Sequence, residues 1–238
     1  MFGEFVGVDG CRAGWIAVTL TPTGNLSHEV DGDIEALLAR HPDALALIDM
    51  PIGLRDAGPA ERLCDPLARR RLGPRRSSVF PVPAWAALFE KDWASASALN
   101  KGLTGRGLSK QSWGIAPGIR EVNELLLRRP ERRPVVREMH PELCFWGLKG
   151  RQTLPFYKMD EEGYRERVGL LESALPGSEA FVESVLAGNH RGFDRCDLVD
   201  AFGGAVTARL GRDRLETIPE LPEIDSRGLP MEMVYFAR

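Results

Sequence analysis

Cysteine is scarce and scattered in this 238-residue chain: its four cysteines, Cys11, Cys64, Cys144 and Cys196, form no Cys-x-x-Cys pair. That spacing excludes the common zinc motifs and a disulfide framework, so reduced, buried thiols are expected. No apolar run is long enough to span a bilayer, and the N-terminus lacks a basic region followed by an apolar core. A cytoplasmic protein with no membrane partner is the expectation, with homo-oligomerisation left open. Net charge is also small, -3, which leaves no overall positive field for long duplex nucleic acid. Any nucleic-acid contact has to be local. Absent too are a Gly-rich phosphate loop, a Ser-His-Asp order, the His-Glu-x-x-His of metalloproteases, internal repeats and low-complexity tails.

What the chain does have is a succession of apolar segments with acids at their ends. Residues 4–9, 14–21 and 26–30 are predicted as three consecutive strands, with Pro22-Thr23-Gly24-Asn25 turning the second into the third. A short amphipathic helix over 33–40 follows, with Asp31 or Asp33 available as its cap. Residues 44–49 (ALALID) form an apolar run that fits a strand buried on both faces, and Met50-Pro51-Ile52-Gly53 stops it. Further along, 135–139 and 232–236 read as strands, and 161–174, 180–187 and 194–210 as helices. This order predicts an α/β fold with a mixed sheet flanked by helices. The Gly-, Pro- and Arg-rich stretch at about 55–133 reads as a largely helical insertion or lid, so that 1–238 make a single domain.

The acids stand in similar mechanical settings. Asp9 and Asp49 end strands, Glu142 follows one, and Asp197 and Asp200 share a face of the last long helix, being three residues apart. Singly, each has an ordinary explanation: an Asp-Gly turn at Asp9, or a helix N-terminus that favours negative charge at Asp197 and Asp200. Together they repel unless a cation neutralises them. Hard divalent ions such as Mg²⁺ and Mn²⁺ take oxygen ligands, and a two-ion site for phosphodiester chemistry needs several convergent carboxylates.

The segments GVDGCRAGW, IDMPIGL, RLCDPLARRRLGPRRSSVFPVP, GLSKQSWGI, HPELCF and DLVDAFGGAVTA resemble, in order, the motifs of domain-of-unknown-function family 429. The resemblance implies a ribonuclease H-like fold and a predicted nuclease activity. It places Asp9, Asp49, Glu142 and Asp200 in catalytic, metal-binding positions, with Asp197 beside them, and implies Mg²⁺ or Mn²⁺, expected as two ions. Asp200-Ala201 with Ala205 also resembles the last catalytic helix of Holliday-junction resolvases. Where the family pattern has Lys and Asp, this sequence has Gly118 and Asn123.

Arg69, Arg75, Arg76 and Ser77 lie in a Gly-Pro-containing stretch of the insertion, with Lys110 and Lys158 further on and Arg12 just after Asp9. A solvated face accounts for such a run; the alternative is a substrate rim in which guanidinium groups grip phosphate. The partner then expected is nucleic acid or a nucleotide. Two other functions stay open: a phosphotransferase or ATPase of the same fold superfamily, and a non-catalytic binding protein that keeps the fold.

Overall fold

The computed structural model describes residues 2–188 and 192–238. Strand β1 (Glu4–Cys11) turns tightly into β2 (Gly14–Leu20), and β3 (Leu26–Asp31) completes an antiparallel meander. Gly14 has φ +116°, and a Cβ there would stand 2.6 Å from Asp31 O, so the turn admits no other residue without strain. Helix α1 (Ile34–Ala39) begins at Asp33, whose carboxylate accepts from Glu35 N and Ala36 N. Strand β4 (Ala44–Ile48) then pairs parallel to β1. Between β4 and the next strand, β5, run α2 (Cys64–Leu72), α3 (Trp93–Thr104), α4 (Lys110–Gly114) and α5 (Ala116–Arg128), after which β5 (Val136–Glu138) pairs parallel to β4. The chain continues through α6 (Pro141–Leu148), α7 (Glu161–Ala174), α8 (Ser178–Ala187) and α9 (Arg195–Gly211). It closes with an antiparallel pair, β6 (Glu216–Ile224) and β7 (Pro230–Tyr235).

The main sheet has the order β3-β2-β1-β4-β5. Three antiparallel strands followed by two parallel ones, flanked by helices on both faces, make the α/β arrangement expected from the sequence, in the ribonuclease H-like class. Side chains alternate between the faces. On one face Phe5, Leu45 and Leu47 pack with Phe145, Leu198, Phe202 and Val206; on the other Val6, Val8, Ala46 and Ile48 pack with Ile119, Val122 and Leu126. Helix α5 is therefore the crossover that lets β4 and β5 run parallel, not part of a lid, because its apolar side is needed to cover the sheet.

Helix α9 lies so close to β1 that a Cβ on Gly7 would be 1.9 Å from Ala201 O. Gly204 answers it from the helix side, where a Cβ would stand 3.1 Å from Gly7 Cα. Gly204 thus lets the helix N-terminal half lie over the strand ends, while its neighbour Gly203 faces the Phe145 ring of α6. Strand β6 and the short helix α6 were not expected; α6 starts at a proline, which suits a first helical position. Among the described residues no helix is long and apolar enough to cross a membrane.

Candidate active site

Because β1, β4 and β5 run parallel, their C-terminal ends share one edge of the sheet, the usual place for a site in open α/β folds. Val8 pairs with Ile48, and Asp49 N donates to Val8 O at 2.9 Å, so Asp9 and Asp49 follow side by side. Alternation puts both on the α9 face, where α9 carries Asp200, which is 1% exposed. Burial, then the charges of Asp49 and Asp200, hold the Asp9 carboxyl well above the usual carboxylate range, against the opposing pull of Lys158. Asp49 is pushed up to about 7 by burial, with Lys158 opposing and Asp200 and Glu142 adding. The acids predicted from sequence are therefore within electrostatic reach of one another.

Their contacts differ. Lys158, on the segment between α6 and α7, places its ammonium on Asp200 Oδ2, and Asp200 is the first cause of its raised pKa. Glu142, in the first turn of α6, accepts from the buried Arg167 at 2.6 Å. Asp197 is engaged in a capping box with Asp194, its carboxylate accepting from Asp194 N at 2.9 Å. Asp197 thus has the structural role that a helix start provides, and Asp200 is the residue of this pair aimed into the site.

Among the described residues no three His, Cys, Asp or Glu side chains are gathered tightly enough to hold a metal ion. Lys158 supplies the positive charge at the acids. Even so, Asp200 Oδ1 and Glu142 Oε2 are buried without hydrogen-bond partners among the described residues. Buried unpartnered carboxylate oxygens are costly, and an all-oxygen donor set suits Mg²⁺ or Mn²⁺.

A cavity of about 480 Å³ runs along the strand ends from Trp15, past Asp9 and Asp49, to His140, roofed by residues 78–82 of the insertion. Of the substrate-binding residues expected from sequence, Arg12 lines it; Arg69, Arg75, Arg76, Ser77, Lys110 and Lys158 do not. Arg69 is held by Glu61 and Val79 O. Arg75 is buried, with its guanidinium 3.7 Å from the centre of the Tyr157 ring. Arg76 and Ser77 are exposed, and Lys110 reaches over Trp93. The basic residues are thus not one continuous rim.

Several site residues escaped the sequence reading. Glu138 ends β5 on the face opposite Asp49, is 2% exposed, and accepts two hydrogen bonds from Arg62, which also pairs with buried Asp65. Burial pushes Glu138 up to about 7 despite Arg62. Its Oε2 also accepts from Ile52 N at 2.6 Å. Asn123 on α5 accepts from Gly53 N at 2.8 Å and donates to Pro51 O at 2.7 Å. Both therefore fix the loop that leaves Asp49. The available signal was parity: Glu138 is two residues from buried Val136 in a strand, so its carboxylate had to face the core. His140 lines the cavity, and burial lowers its pKa, which keeps the ring neutral.

The raised Asp49 pKa gives a pH prediction. Asp49 titrates near 3.8 when unfolded and at about 7 when folded, so between those values the folded state binds more protons. Stability of the metal-free protein is then expected to fall as pH rises through this window, and Mn²⁺ affinity to fall as pH drops below about 7. Urea melts and calorimetric Mn²⁺ titrations across the window check both signs. Asp49→Asn should flatten the stability slope; a slope that survives intact assigns it to other groups.

Fold and site together define a class, a ribonuclease H-like α/β protein with buried acids at the C-terminal edge of its sheet. Over residues 7–224 the chain matches the family described as "Protein of unknown function (DUF429)", and it belongs to that family. No curated protein and no solved structure matches it.

Proposed function

We propose that this protein is a divalent-metal-dependent nuclease that hydrolyses phosphodiester bonds at the Asp9–Asp49–Asp200 cluster. The observation that supports the reading is that these three buried acids share one face of the strand ends within electrostatic reach of one another, with Asp200 Oδ1 buried and without a hydrogen-bond partner among the described residues. Asp9, Asp49 and Asp200 would hold Mg²⁺ or Mn²⁺, and Glu142 Oε2 would offer a further oxygen to a second ion. A bound ion of this kind supplies an activated water and offsets charge on the phosphoryl oxygens. Parallel strands fix the Asp9 and Asp49 backbones, while Arg62, Glu138 and Asn123 hold the loop beyond Asp49. Lys158, which sits on Asp200, would be freed for the phosphate if an ion took its place, so its charge would serve first the acids and then the substrate.

The test is Mn²⁺-dependent cleavage of labelled DNA and RNA substrates, with ATP hydrolysis run in parallel. Cleavage that disappears in Asp200→Asn is the expected result. ATP turnover with no cleavage would move the protein to the phosphotransferase class, and absence of metal binding would make it a non-catalytic binder. Lys158→Met is expected to raise Mn²⁺ affinity in calorimetry, because the competitor for Asp200 is gone, while lowering cleavage. Unchanged or weaker Mn²⁺ binding would refute the displacement.

A further inference from the structure

The cavity beside the acids has a composition that a polyanion does not need. Its volume, about 480 Å³, falls within the roughly 300–1,000 Å³ usual for small-molecule sites. Trp15, Met50, Phe80, Val82 and Pro117 give it apolar walls. Of its lining cations, Arg62 is committed to Asp65 and Glu138, which leaves Arg12 as the one without an ion pair among the described residues. Phosphate backbones are held by several cations, and this interior offers one. A flat, weakly polar group suits such walls, provided its charged end stays with the acids and their ion.

We propose that the cavity takes a single nucleobase, so that the substrate is an unpaired strand that offers one base, with the adjoining phosphodiester at Asp9 and Asp49. This rests on the nuclease reading and narrows its substrate class. A duplex keeps its bases stacked and cannot offer one to a concave cavity without extruding it. An unpaired base reaches apolar and aromatic walls at little cost, and gains from the contact whatever its identity.

Gly118, near the start of α5, is the handle for a test. A Cβ there would lie 3.0 Å from Met50 Cε and 3.1 Å from Trp15 Cη2, so a larger side chain intrudes on the cavity wall. It makes no contribution to the acids. In the presence of Mn²⁺, the wild-type protein is expected to bind thymidine monophosphate and a short single strand, seen by quenching of tryptophan fluorescence, and to bind a blunt duplex far more weakly. Gly118→Leu should keep the fold and Mn²⁺ affinity yet lose about tenfold or more for both unpaired ligands. Phe80→Ala, which removes another apolar part of the lining, serves as a second variant if leucine disturbs the helix, and should weaken the same two ligands. Binding of both supports the base pocket; binding of the monophosphate but not the strand would keep a base pocket and overturn the nuclease reading on which its substrate class rests. Equal binding of duplex and single strand, or nucleotide affinity untouched in both variants, overturns the base pocket while the nuclease reading stands. Metal binding with no affinity for any nucleotide or nucleic acid overturns both.

Discussion

Asp9→Asn is expected to abolish Mn²⁺ binding and to reduce phosphodiester cleavage by about a hundredfold or more, while stabilising the metal-free protein. The two signs have one cause. Asp9 is buried, and Asp49 and Asp200 add negative charge to an already unfavourable setting, so its ionised form is disfavoured in the folded state. Removing the charge relieves that repulsion. The amide oxygen can still accept from Gly10 N, as Asp9 Oδ1 does at 2.7 Å. A residue kept for the stability of a turn would behave in the opposite way, losing stability on substitution. Urea melts without metal and calorimetric Mn²⁺ titration of the same preparation separate the two. A destabilised variant that binds Mn²⁺ normally would return Asp9 to the turn.

The largest stability loss is expected at Arg62. Its guanidinium is 2% exposed and reaches Asp65, Glu138, Ile52 O and Gly53 O, joining the start of the insertion to the ends of β4 and β5. Arg62→Leu leaves two carboxylates buried without their cation, which typically costs about 3–5 kcal/mol. Set against a total stability of roughly 5–15 kcal/mol, that is enough to unfold a sizeable fraction of the protein. The measurement belongs at a pH above the Glu138 value of about 7, where Glu138 carries its charge. Adding Glu138→Gln to Arg62→Leu should recover part of the loss, since one of the stranded charges is then gone. A loss below about 1 kcal/mol would class the network with ordinary surface pairs.

Local pattern determined a good deal. The strands of the meander, the parallel strand that leads into Asp49, the helix from Glu161 to Ala174 and the long helix carrying Asp200 all followed from periodicity and turn residues. The close approach of α9 also rests on small residues, Gly204 on the helix and Gly7 on the strand, which let the two backbones meet. Asp9, Asp49 and Asp200 were legible as a group because acids at the ends of apolar runs contradict their surroundings.

Their counter-charges were not legible. Lys158 meets Asp200 from 42 residues away, and Arg62 meets Glu138 from 76. An ion pair depends on which elements become neighbours, and periodicity describes each element singly. The same limit hid the division of acids between the two sheet faces. Parity assigns Asp49 and Glu138 to opposite sides only once β4 and β5 are known to be adjacent and in register, with Ile48 against Glu138. Helix α5 shows it again: its sequence looked like part of a lid, and its place on the sheet came from the parallel pairing of β4 and β5, which requires a covering crossover. Sequence alone thus determined which acids are anomalous and which segments are strands or helices, because those depend on near neighbours along the chain. Only the tertiary structure decided which cation answers each acid and which wall encloses the cavity, because burial and Coulomb energy depend on distances in space.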